Sequence, residues 1–423
     1  MSSTTRSNKR RKTEERRPRL RLLPQVVDEL AANHPDQTWI SIPKTNDPTS
    51  GFNDITYQQL KNAVNTATTW LKGSLPADPD ITLPYLGPTD TRYIILTVAA
   101  IKLGHNLFLI SPRNDDQTQL QLLEAADCKR ILCASADADY AGSLISQSDL
   151  ALQPHSLLVV PDEAILLRAP PSEISYRHSF EDLRHHTALT IHTSGSSGPI
   201  PKIVRLTHGY LAHEDTLAYF PPPIPLTYAL FQKVRCFHGV PLYHAGGVLF
   251  GLLKGLFQRT VWVLPPAGAQ LTPELIDACL RHGQCDALQT VPTLLESMVA
   301  ESCYHETLSD LKWLWFGGGP LSESAGDKLL TINISAVHGF GSTEIALLPL
   351  LSVSPASWQC HHFHESAGVR FEPAQEPDGL HELVIVKRLA GDSPFQPCFE
   401  LTTASDSVRT GDLWSRHPQD PGL

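Results

Sequence analysis

Thr190–Lys202 reads TIHTSGSSGPIPK, and two readings compete for it. Ser-Gly-Ser-Ser-Gly is the composition of a flexible linker. It also suits a loop folded around a phosphate, where glycines let the backbone approach and hydroxyls and a lysine meet the charge. The flanks decide. ALTIH before it is an apolar strand-like run and PKIVRLTH after it is another ordered segment, and domain linkers do not sit between two such pieces. Nor is it a Walker A loop. Lys202 lies four residues past Gly198 with no Ser or Thr behind it, whereas that motif needs G-x4-G-K-[ST].

Two more glycine turns repeat the placement: LKWLWF runs into GGGPLS, and ISAVH runs into GFGSTE. Helix starts are expected after them, at Ser322-Glu323-Ser324 and at Thr343-Glu344. Ligands of open parallel sheets bind beyond the carboxyl ends of the strands. Three such loops from one sheet would therefore line one crevice.

Further out, strand-length apolar runs recur, among them YIILTVAA, NLFLIS, KRILCAS, SLLVV, VWVLPP and ALQTVP. Between them lie segments with helical spacing, such as DQTQLQLLEAAD, TPELIDACLRHG and TLLESMVAESC. The alternation predicts an α/β fold of mainly parallel sheets covered by helices. From about Ser352, short strands with polar turns (GVRFEP, HELVIVK, SVRTGDLW) predict a small antiparallel unit. The expected organisation is a disordered basic tail over 1–21 and one α/β subdomain over 22–185. A second over 186–351 carries the nucleotide loops, and a partial small β unit covers 352–423.

The bulk numbers limit the function classes. The chain has 423 residues, 41% of them hydrophobic, and a formal charge of −10. That is a globular composition with enough chain for a sizeable core. The first 21 residues carry nine Lys or Arg against two Glu, a net +7, which leaves −17 for the rest. An acidic body is not a general nucleic-acid surface. NKRRK, Asn8–Lys12, has the composition of a nuclear-localisation patch and equally of a solvated tail. Eight cysteines form no C-x-x-C and no apolar leader opens the chain, so reduced thiols and a cytoplasmic or nuclear location are expected. Val240–Leu256 is broken by His244 and Lys254 and is too short and polar to span a bilayer. FPPPIPL, 220–226, suits a rigid surface loop more than a polyproline ligand. CHHFH, 360–364, lacks a second cluster at zinc spacing. If it forms a strand, alternation separates His362 and His364 from His361 and Phe363.

TSGSSGPIPK, GFGSTE and RTGD, in this order and spacing, resemble three core motifs of the adenylate-forming superfamily, which includes acyl-CoA synthetases, luciferases and nonribosomal peptide adenylation domains. The resemblance runs from about Leu22 to the end. LGHNLFLISPRN, PLYHAGGVLFGLL, FGGGPLSES and HPQDPGL look closer still to fungal NRPS-like carboxylic acid reductases of the aminoadipate-reductase type. It implies two stacked subdomains plus a small β-barrel-like one, with ATP and Mg2+. The implied reaction is attack of a carboxylate on the α-phosphate, giving acyl-AMP and pyrophosphate in fungal-type secondary metabolism.

The resemblance also implies roles. Thr193, Ser194, Gly195, Ser196, Ser197 and Gly198 would close over the β- and γ-phosphates, with Lys202 nearby. Gly318, Gly319 and Pro320 would lie along adenine, and His338, Gly339 and Phe340 would contact the nucleotide. Thr343 would bond the α-phosphate, Glu344 would hold Mg2+, and Asp412 would take both ribose hydroxyls. His244 would stand near the acyl carboxylate. Phe237–Gly247, Leu288–Pro292 and Val337–Leu347, mostly apolar, would line a pocket for an aryl or alkyl acid.

The sequence also departs from the pattern. Ser197 stands for the usual Thr, Phe340 for Tyr and His338 for a frequent Asn, and GPIPK carries one extra residue that could displace Lys202. Family members continue past Thr-Gly-Asp into a mobile C-terminal domain bearing a further lysine, while this sequence ends at Leu423. Slow adenylation, or dependence on a separate carrier or C-terminal-domain protein, is the resulting expectation. The alternative is a silent paralogue that binds nucleotide or a protein partner.

Overall fold

The computed structural model describes residues 20–76, 80–147, 156–193, 201–217, 223–375, 379–388, 396–401 and 405–417. Among these, two large sheets carry the fold. The first contains β3 (Thr82–Leu86), β4 (Asn106–Leu109), β5 (Ile131–Cys133), β6 (Leu157–Val159), β7 (Thr187–Thr193) and β8 (Lys202–Thr207), in the order β6-β5-β3-β4-β7-β8. The second contains β1 (Thr38–Pro43), β2 (Phe52–Thr56), β9 (Arg235–His238), β10 (Val261–Val263), β11 (Ala287–Thr290), β12 (Trp313–Gly317) and β13 (Ala336–Gly339), in the order β13-β12-β11-β9-β10-β1-β2. Only the edge strands β8 and β2 run antiparallel to their neighbours. The α/β layout read from the alternation is therefore the architecture found.

Three details differ from the reading of the sequence. β7, which feeds TSGSSG, lies in the six-stranded sheet, while β12 and β13 lie in the other. The glycine loops thus come from two sheets, not one. The sheets also interleave along the chain: β1 and β2 join the second, and β7 and β8 join the first, across the expected division at 185/186. Finally, YIILTVAA is no strand. It forms the helix Arg92–Lys102, every residue of which is buried. A helix covered on all sides is apolar all round and loses the 3.6-residue signature that separates helix from strand.

The largest core holds apolar side chains from both sheets and the helices between them, with Trp39, Trp262 and Trp315 fully buried. Beyond β13 come β14 (Gly341–Ser342) paired with β15 (Ala346–Leu347), and β16 (Leu350–Leu351) paired with β17 (His362–Phe363). A three-stranded antiparallel sheet follows, built from β18 (Val369–Pro373), β19 (His381–Val386) and β20 (Ser407–Trp414). The chain is anchored slightly earlier than expected. Arg21 grips Asp215 through Nε (2.9 Å) and Nη2 (2.5 Å), and Leu20 packs on Leu22, Phe180 and Ala212. Residues 1–19, with NKRRK, lie outside the described residues. No helix among those described is long and apolar enough to cross a membrane.

Candidate functional site

β12 and β13 run in parallel register, Phe316 beside His338 and Gly317 beside Gly339, so their carboxyl-end loops leave side by side. Gly339 has to be glycine, since a Cβ there would lie 2.3 Å from the buried Trp315 ring. Gly318 has φ +90°, which side chains disfavour. A Cβ at Gly318 or Gly319 would meet no heavy atom within 4 Å. These two glycines therefore border open space, as a planar ligand on the backbone would require. His338 stacks on Phe316 at 4.6 Å and 11°. Burial pushes its imidazole down to about 4, so the ring is neutral. The main chain of Gly319 partly offsets this.

The segment after β13 turns back as a hairpin. Gly341 pairs with Leu347 and Ser342 with Ala346, putting Thr343, Glu344 and Ile345 at the tip. The helix expected at Thr343-Glu344 is thus a tight turn, closed by Ala346 at φ +57°. Thr343 is buried, and its carbonyl accepts the Tyr210 hydroxyl at 2.9 Å. The Glu344 carboxylate accepts from Ser342 Oγ at 3.0 Å and stays partly open to solvent. One accessible carboxylate suits Mg2+, which keeps water and phosphate oxygens as its other ligands. No group of three His, Cys, Asp or Glu among the described residues forms a self-sufficient metal site. Phe340 lies edge-on to Trp414 at 4.9 Å, which brings the end of β20 against this loop, and Asp412 on the same strand is exposed. His361, stacked on Phe363 at 5.8 Å, closes the same aromatic group and stands 4.4 Å from His338.

From the other sheet, Thr193 ends β7 and Lys202 begins β8 as its direct cross-strand partner. Lys202 stands exposed where β8 begins. Ser194, Gly195, Ser196, Ser197 and Gly198 lie outside the described residues.

His244 opens a helical segment. Its carbonyl accepts from Val248 N–H (3.1 Å) and its Nδ1 from Gly246 N–H (3.2 Å). That leaves the proton on Nε2. The side chain reaches solvent, and partial burial lowers its pKa. His192 on β7, near enough for its charge to be felt, is pushed down to about 4 mainly by burial. Behind His244 runs a π-helix, Gly247–Gln258, a rare form that favours functional sites. Its Lys254 is fully buried against Glu214 (2.7 Å), the Thr227 carbonyl (3.0 Å) and the face of Phe231. The remaining pocket stretches, Leu288–Pro292 and Val337–Leu347, follow from β11 and β13 on the same sheet.

Sequence reasoning missed three residues. Tyr210 sits outside every motif and gave no signal. Trp414 follows RTGD, where only the aspartate drew attention. His361 was weighed as a metal ligand and instead packs among aromatic rings.

Comparison with known proteins bears on the fold and the family. The chain is 25% identical over 408 residues to the carboxylic acid reductase of Neurospora crassa, covering 94% of this chain and 38% of the relative. It is 27% identical to the adenylate-forming reductase Nps10 of Heterobasidion annosum, covering 95% and 37%. The chain therefore spans well under half the length of these relatives. Among solved structures, the N-terminal domain of FACL13 from Mycobacterium tuberculosis superposes with a TM-score of 0.72 at 18% identity, covering 94% of this chain and 98% of that one. The anthranilate CoA ligase AuaEII, solved with anthranoyl-AMP, gives 0.72 at 14% identity, covering 95% and 77%. The AMP-binding enzyme family matches residues 27–371, and the chain belongs to that family.

Proposed function

We propose that this domain joins a carboxylic acid to ATP, forming an acyl-adenylate and releasing pyrophosphate. One observation carries the reading: the in-register ends of β12 and β13 set an unobstructed glycine strip beside the Phe340–Glu344 loop. Adenine would lie along Gly318–Pro320, held by His338, Gly339 and Phe340, with Asp412 accepting from the ribose hydroxyls. The acid's carboxylate oxygen attacks the α-phosphorus as the bond to the bridging oxygen breaks, so negative charge shifts onto phosphate oxygens. Thr343 donates to the α-phosphate. Thr193, Lys202 and the hydroxyl-rich loop between them hold the leaving pyrophosphate, and Glu344 provides the Mg2+ site. Catalysis of this kind is positioning plus electrostatic stabilisation, and losing one such donor costs roughly a hundredfold or more.

The neutral His244 with its Nε2 proton suits a carboxylate oxygen. The largely apolar stretches around it favour an aryl or alkyl acid. The relatives named reductases are much longer, and the isocyanide synthase-NRPS hybrid crmA of Aspergillus fumigatus also matches 95% of this chain. This supports a carrier, on the same polypeptide or a separate one, as the acyl acceptor in secondary metabolism. Titration with MgATP tests the assignment. Saturable binding, weakened by Lys202→Ala and made less Mg2+-sensitive by Glu344→Gln, is expected. Equal affinity in all three proteins would overturn it.

A further inference from the structure

Tyr210 lies in the short helix His208–Leu211 that follows β8. Its ring is 1% exposed. The hydroxyl donates at 2.9 Å to the carbonyl of Thr343, the first residue at the tip of the tight turn that Ala346 closes. The turn also carries a cost, because Ala346 is left-handed at φ +57° and has a Cβ. A turn of this kind persists where its surroundings hold it. Tyr210 is itself held at its base: its N–H donates to Thr207 Oγ1 (3.0 Å) and its carbonyl accepts from His213 Nδ1 (2.7 Å). Thr207 ends the strand that Lys202 begins.

We propose that Tyr210 is a positioning residue for the Mg2+-nucleotide contacts. It fixes the Thr343–Glu344 turn, which extends from the seven-stranded sheet, against β8 of the six-stranded sheet. The two halves of the phosphate site are thereby held in register by one hydroxyl. This inference rests on the adenylation reading, since it assigns Tyr210 to the phosphate and metal side of that same site. Glycine and hydroxyl motifs supply the groups that touch phosphate, and Tyr210 supplies the distance between them.

Tyr210→Phe in the full chain removes the hydroxyl and keeps the buried ring. The preference for MgATP over metal-free ATP should shrink about tenfold, the scale of one lost buried hydrogen bond. A tyrosine that merely filled the core would weaken both forms alike. Adding Ala346→Gly to Tyr210→Phe lets the turn take its left-handed residue without strain, and should recover most of the preference. Amide hydrogen exchange is read alongside, independent of ligand. In Tyr210→Phe, exchange should rise at Ala346 and its turn while Val337 and His338 in β13 stay protected. Unchanged exchange at Ala346, or equal loss for ATP with and without Mg2+, overturns the proposal. If exchange rises as expected but the unmodified chain binds no MgATP, the adenylation reading fails, and the nucleotide role of Tyr210 falls with it.

Discussion

Adding a single methyl group at Gly319 separates what the protein needs for folding from what it needs for a ligand. A Cβ there meets no protein atom within 4 Å, and Gly319 is not among the residues with positive φ. Gly319→Ala should therefore leave the unliganded fold intact, and it removes freedom from the unfolded chain. The expected change is between neutral and about 1 kcal/mol of added stability. The same methyl would occupy the space assigned to adenine. Forcing one extra methyl into a filled contact costs about 1–3 kcal/mol, roughly ten- to a hundredfold in Kd for MgATP. Denaturant melts of both proteins, followed by MgATP titration under identical salt, give the two numbers. Unchanged affinity would refute the placement of adenine. A destabilised apo protein would show that the strip is closed by protein and not reserved for a ligand.

Two further outcomes follow from the buried charge and the neutral histidines. Lys254→Met should destabilise the fold by about 3–5 kcal/mol, because it strands the Glu214 carboxylate in the interior. Lys254→Met combined with Glu214→Leu should recover most of that loss in chemical denaturation, and additive losses would contradict the pairing. Burial pushes His238 and His361 down to about 3. Both stay neutral when folded but take up protons near their ordinary value when unfolded, so the unfolded state gains protons first. Stability should therefore fall as pH drops from about 6.5 toward 3, by about 2 kcal/mol per residue at pH 5. Denaturation midpoints at pH 7 and pH 5 check this. His361→Phe should flatten the slope, and an unaltered slope would mean that His361 is not a buried neutral group.

Local pattern carried much of the account. β4, β5, β7, β10, β11 and β12 each stand out as apolar runs, and glycine turns follow β7, β12 and β13 because a ligand-facing backbone has to do without side chains. Sheet membership was not legible. Nothing local distinguishes ALTIHT, which joins the six-stranded sheet, from LKWLWF, which joins the other. That choice is made by side chains packed far apart in sequence, such as Trp39 and Trp262 in the shared core. The helix Arg92–Lys102 was hidden by complete burial, and the Thr343 turn by a non-glycine residue in a left-handed conformation. The site was legible where a motif marked it and silent where support comes from elsewhere. Tyr210 reaches Thr343 across 133 positions through one hydroxyl, a contact no spacing rule encodes. His338 in β13 and His361 just before β17 meet through ring packing that no local pattern announces.

Acid-dependent ATP–pyrophosphate exchange with Mg2+, run with pooled aryl, alkyl and amino acids, is the decisive assay for adenylation by this domain. Exchange with an aryl or alkyl pool, lost in Lys202→Ala, is expected. MgATP binding without exchange in any pool would make the chain a nucleotide binder that does not adenylate by itself. Neither binding nor exchange would contradict the account at its root.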